Sequence, residues 1–156
     1  MTRVNDADIF SAMDNHMAAL PVTGQFPKWA TRFNGQVYKP KTGIPYQEVE
    51  LTMGTPPVFP SNGAAIGGGL YTRTRGVYKI SIYQPLGSSG QPRSILERAQ
   101  HIKDWFWPNK KEKLIAFQTA KCVVDREPMR ADLDNDGVWL ACSVVIFFRV
   151  ADNPAP

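Results

Sequence analysis

The residues best suited to chemistry in this chain are Asp132, Asp134 and Asp136, followed at once by Gly137. Oxygens at alternate positions, with a glycine at the sixth, let a chain wrap a calcium ion. Such a loop also wants a bidentate glutamate at its twelfth position, where this chain has Ser143, and its flanks should be helical, whereas here they read as strands. Aspartates that bond their own backbone and a glycine at positive φ equally make a polar hairpin turn. The turn is the expected role, and the three aspartates are the metal candidate set against it. Gly87-Ser88-Ser89-Gly90 lies between a strand and a helix, as a nucleophile elbow does, but its second glycine comes one residue too early for G-x-S-x-G. His16 and His101, the only histidines, belong to neither H-E-x-x-H nor a Cys/His spacing. Gly67-Gly68-Gly69 lacks the Lys-Ser/Thr of a phosphate cradle. No catalytic residue and no cofactor site is expected.

A different chemistry is offered by Tyr71, Arg73, Arg75, Lys79 and Tyr83, which alternate along one side of an extended stretch. Aromatics interleaved with cations on an open sheet can stack bases and hold phosphates. They can also anchor a protein interface, where Tyr and Arg are favoured. The consensus of an RNA-recognition sheet is absent, so a solvated or self-associating face is expected before a nucleic-acid one. Lys110, Lys111 and Lys113 form a second basic cluster that could meet an acidic partner.

These residues must be positioned by sheet and helix elements. From Tyr71 to Tyr83, Thr72, Thr74, Gly76, Tyr78, Ile80 and Ile82 point one way and the cationic set points the other, which marks a half-buried strand ended by Pro85. Ser94 and Glu97 have the spacing of a capping box, and Ile95, Ala99, Ile102 and Phe106 follow as one apolar stripe, closed by Pro108. An opening helix is expected over 5–20, capped by Asn5 or Asp6, with Ile9, Met13, His16, Met17 and Leu20 on one side. Trp29–Phe33 and Tyr46–Met53 read as strands, with a turn at Asn34-Gly35. Lys113–Arg126 and Val138–Val150 read as the last two strands. If Asp132 is near the midpoint between them, Cys122 faces Cys142, and Leu114, Ala116, Ala120, Cys122 and Val124 share the buried side.

The expected fold is therefore α+β, with one mostly antiparallel sheet in the order α-β-β-β-α-β-β and helices packed on one face. Residues 1–156 are expected as a single domain. Long loops are expected at 54–69, which carry three prolines and five glycines, and at 127–137, with a disordered tail at 151–156. Eighteen basic against fourteen acidic residues give +4, a mild excess that fits an acidic partner without demanding nucleic acid. The polar, acidic start is unlike a secretory signal, and no apolar run is long enough to span a membrane. The two cysteines are thus expected reduced, in the core.

Arg75-Gly76-Val77-Tyr78-Lys79-Ile80-Ser81-Ile82-Tyr83, then Pro85-Leu86-Gly87, then a helix with Ala99, Ile102 and Trp105-Phe106, resembles the tail terminator (tail completion) proteins of long-tailed bacteriophages. The opening helix, the Tyr46-Gln47-Glu48-Val49 strand and the closing Phe147-Phe148-Arg149-Val150 fit the same pattern, so the likeness spans about residues 5–150. The resemblance implies a virion protein, assembled in the bacterial host cytoplasm, that carries out no catalysis and needs no cofactor. It implies a ring, commonly of six subunits, that caps the tail tube, stops its growth and offers a surface to the head connector. Its partners would be copies of itself, the tube protein and the connector or head-completion protein, with no membrane and no specific nucleic acid. An isolated terminator could be monomeric. The alternatives are another neck or tail protein, such as a head-completion or tube subunit, and a small nucleic-acid-binding domain.

Overall fold

The computed structural model describes residues 5–54 and 75–151. Within them the chain runs α1 (Asp6–Ala18), β1 (Ala30–Arg32), β2 (Tyr46–Met53), β3 (Arg75–Pro85), α2 (Arg93–Phe106), a 3₁₀ turn (Pro108–Lys110), β4 (Lys113–Phe117), β5 (Ala120–Val124), β6 (Met129–Arg130), β7 (Asp134–Asn135) and β8 (Trp139–Val150). The fold is α+β. One sheet runs β1-β2-β3-β8-β5-β4, with β6 and β7 also paired to β8. Among the described residues only the β1–β2 pair is parallel. No helix of the described residues is long and apolar enough to cross a membrane. Residues 55–69 of the expected excursion, and 152–156 of the expected tail, lie outside the described residues.

The period-two pattern is realised strictly in the two central strands. Tyr78, Ile80 and Ile82 of β3, and Cys142, Val144, Ile146, Phe148 and Val150 of β8, are all buried. They meet Ile9, Met13 and Met17 of α1 and Ile95, Ala99, Ile102 and Phe106 of α2 in one continuous core. Each large apolar side chain so enclosed contributes about 1.5–3 kcal/mol relative to exposure. Gly76 belongs to the same inward row for a steric reason: a Cβ there would fall on the ring of Phe148, its partner across the β3–β8 ladder. The Tyr78 hydroxyl, at the centre of the core, donates to Asp14 Oδ1 at 2.7 Å and ties the sheet to α1. Burial raises the Asp14 pKa, and that hydrogen bond partly offsets the rise.

The helices start and stop for different local reasons. Asn5 caps α1 as expected, its Oδ1 accepting the Ala7 N–H at 2.9 Å. The capping box expected at Ser94 does not form, because α2 begins at Arg93 and its cap position is Pro92, which offers no side-chain acceptor. Ser94 already lies inside the helix and donates to Gln84 Oε1, while Glu97 pairs with Arg93 and Gln25.

The C-terminal half differs most from expectation. Lys113–Arg126 is a tight hairpin and not one strand: the chain reverses at Gln118, which takes φ +48°, and β4 pairs antiparallel with β5. The reversal shifts the parity, so Ile115 is buried while Leu114 and Ala116, expected inside, are exposed. The segment 127–137 is not wholly loop. It returns along β8 through β6 and β7 and turns tightly at Asp136-Gly137. The midpoint is thus about residue 137, not 132, and Cys122 sits opposite Val150 while Cys142 faces Ile82. Both thiols are buried and unpaired. Burial pushes the Cys122 thiol up to about 12.

Candidate functional site

Inward parity on β2, β3 and β8 leaves the opposite parity as an open sheet face on the side away from the helices. Cross-strand register orders it in rows: Tyr46, Tyr83 and Ala141; Glu48, Ser81 and Ser143; Glu50, Lys79 and Val145; Thr52, Val77 and Phe147; then Arg75 beside Arg149. Side-chain contacts tie together the rows at the Tyr46 end. The Tyr46 and Tyr83 rings stack at 4.7 Å, Trp139 meets Tyr46 edge-on at 5.1 Å, and the Ser81 and Ser143 hydroxyls are 3.0 Å apart.

The expected interface residues divide on this frame. Tyr71 and Arg73 lie outside the described residues. Arg75 and Lys79 are exposed on the open face, as expected. Yet the face is not uniformly cationic, since Glu50 stands directly across from Lys79. Tyr83 has its ring face occupied by Tyr46, so the pairing of free aromatics with free cations that single-stranded nucleic acid requires is not assembled there. Lys110 and Lys111 are exposed in the turn after α2. Lys113 is turned away from a partner: its Nζ lies 3.9 Å over the Trp105 ring and donates to the Trp105 carbonyl, and burial lowers its pKa.

Charge on the open face is graded from end to end. At one end the β7 arm brings Asp132, Asp134 and Asp136 beside Tyr83 and Trp139, around a polar trough. At the other end, Arg75, Arg126 and Arg149 surround a second cleft, with Arg126 lying 3.7 Å over the Phe147 ring. Arg149 is paired with Asp125 and Glu112, whereas Arg75 and Arg126 have no carboxylate within salt-bridge distance among the described residues. The acidic and basic ends are eight residues of β8 apart, roughly 25 Å at the strand rise.

The three aspartates do not converge as ion ligands. Among the described residues no group of three or more His, Cys, Asp or Glu could hold a metal ion. Asp136 instead accepts the Val138 and Trp139 N–H groups at 2.8 and 2.7 Å, which holds its pKa below the ordinary range, and Asn135 Oδ1 accepts from Gly137. Ser88 donates its hydroxyl to the Pro85 carbonyl and has no base beside it among the described residues. Both histidines bridge elements. His16 stacks on Trp105 at 4.5 Å and lies within reach of its carbonyl, while Trp105 Nε1 donates to the His16 carbonyl. His101 stacks on Phe26 and reaches the Pro21 carbonyl.

Sequence reasoning missed Arg98, which interrupts the apolar face of α2 and is nonetheless buried, 3% exposed. Its guanidinium lies 4.0 Å over Trp29, donates to the Pro27 carbonyl at 2.8 Å and shares Gln47 Oε1 through Nε and Nη2. Burial lowers its pKa to about 10, so it remains charged near neutrality. The signal was thin: a cation within a stripe of buried positions ordinarily reads as the edge of the solvated face.

No protein-family model and no curated protein matches the chain. Among solved structures, one protein is similar with TM-score 0.74 at 12% identity, over 98% of this chain and 100% of that one. At that identity the likeness concerns the fold alone.

Proposed function

We propose that this chain is a bacteriophage tail terminator, a non-enzymatic protein of the virion tail that assembles in the bacterial host cytoplasm. In this reading copies of the chain associate head to tail into a ring, commonly six-membered, on the end of the tail tube. The ring stops tube growth and offers its other surface to the head connector. The observation that carries the reading is the graded open face, acidic at the β7 arm and basic at Arg75 and Arg126. A ring needs a heterologous contact in which one patch meets a different patch on the next copy. A face with unlike ends supplies such a pair, and the resemblance of the β3–α2 stretch to tail terminators names the assembly.

The test is light scattering on the purified protein, alone and with tail tubes of its cognate phage, together with electron micrographs of the mixture. The expected result is a closed ring, or density on one tube end with elongation halted. Open-ended polymerisation would instead mark a tube subunit, and a protein that ignores tubes would overturn the reading.

A further inference from the structure

The cleft above Arg98 is a built pocket that the ring reading does not use. Its volume is about 430 Å³, and its walls include Met17, Leu20, Val22, Pro27 and Trp29. Thr31, Gln47 and Arg98 supply its polar groups. They are held in sequence: Gln47 Nε2 donates to Thr31 Oγ1 at 2.8 Å, which turns the Gln47 carbonyl toward Arg98. Of the five guanidinium N–H groups, one on Nε, one on Nη1 and one on Nη2 meet protein acceptors. That leaves Nη1 and Nη2 with one N–H each, and no carboxylate reaches Arg98 among the described residues. A buried cation without an anionic partner is costly to keep. Small-ligand pockets combine apolar walls with a few fixed polar groups in this way.

We propose that this cleft binds an organic carboxylate with an apolar body, its oxygens on the Nη1 and Nη2 side of Arg98 and its apolar part against Leu20, Val22 and Trp29. The planar guanidinium matches a carboxylate. A single buried cation suits a monoanion, and Lys28 on the rim adds attraction at a distance. The carboxylate could belong to a free acid or to a glutamate on a protein segment. The chemistry is shared, and the experiment separates the two. The inference does not rest on the ring reading, because it is read on the isolated chain.

The experiment is a nitrogen-15 NMR titration of the full chain with phenylacetate, with its uncharged isostere phenylacetamide, and with the blocked peptide acetyl-Leu-Glu-Leu-amide. Phenylacetate should produce saturable shifts at the Arg98 Nε–H and the Trp29 indole N–H. Phenylacetamide should bind weaker by roughly tenfold or more, the worth of a charge-assisted hydrogen bond. Tighter binding of the peptide than of phenylacetate would assign the site to a protein glutamate, and the reverse order to a free acid. Arg98→Met could fail to fold, so Val22→Asp at the exposed rim is the informative variant: it should weaken phenylacetate while leaving Tm unchanged. Equal shifts with phenylacetate and phenylacetamide, no saturation with either acid, or undiminished binding in Val22→Asp would overturn the proposal.

Discussion

Single side chains in this protein are tuned by what encloses them, and His16 is the clearest case. Burial, then the charge of Lys113, lowers its pKa from 6.5 to about 4, against a smaller opposing effect of the Trp105 carbonyl. The unfolded chain therefore binds a proton between those values and the folded chain does not. Its contribution to stability is complete above about pH 6.5 and falls as pH drops toward 4. After discounting for solvent screening, the loss attributable to His16 should be about 2 kcal/mol. Denaturant titrations at pH 7 and pH 4.5 should show that loss in the natural chain and a smaller one in His16→Gln. Equal losses would remove His16 as the cause. Gly76 makes the steric counterpart. Gly76→Ala drives a methyl into the Phe148 ring and should cost about 1–3 kcal/mol. Pairing it with Phe148→Leu should cost less than the two changes summed, and strict additivity would mean that the ring is not the obstacle.

At the scale of elements, what could be read in the sequence followed from the strength of the local signal. β3 and β8 carry long unbroken alternation, so their inward rows were legible from Gly76 to Ile82 and from Leu140 to Val150, although the same parity also places Val138 inside and it is exposed. The β4–β5 hairpin was not, because Gln118-Thr119 has none of the Gly, Asn-Gly or Pro signals of a turn, and the chain accepts a positive φ at Gln118 instead. The whole inward set of β4 was consequently misassigned. Ser94 and Glu97 show the converse, a capping signature overruled by a helix that begins two residues earlier. Arg98 and its cleft were illegible because burial of a charge depends on Trp29, Pro27 and Gln47, all distant in sequence. The hairpin phase makes its own prediction. Ile115→Ala should cost about 2–4 kcal/mol, whereas Leu114→Lys should stay within about 0.5 kcal/mol of the natural chain. Were β4 to continue straight into β5, the two effects would be reversed, so chemical denaturation of both variants decides between the arrangements.

For the whole molecule the governing question is how a face with unlike ends associates. On the proposed reading the acidic β7 arm of one copy meets Arg75 and Arg126 of the next. Reversing the basic end with Arg75→Glu and Arg126→Glu gives a subunit acidic at both ends. Reversing the other with Asp132→Lys and Asp134→Lys gives one basic at both ends. These residues are exposed or lie on the open face, so both variants should keep the natural Tm. Each alone should lose self-association and tube capping, since like charges brought together cost several kcal/mol. An equimolar mixture should recover both, because the two subunits can alternate around a ring with an even number of members. Recovery should also weaken as salt rises and the facing charges are screened. The mixture is the decisive arm. A basic face that merely contacts the tube would be damaged by the first reversal and would not be repaired by a partner reversed elsewhere. Only a contact between copies that joins the acidic arm of one to the basic end of another makes two separately defective proteins sufficient together, and the closed ring in the micrographs distinguishes head-to-tail association from a two-fold pair.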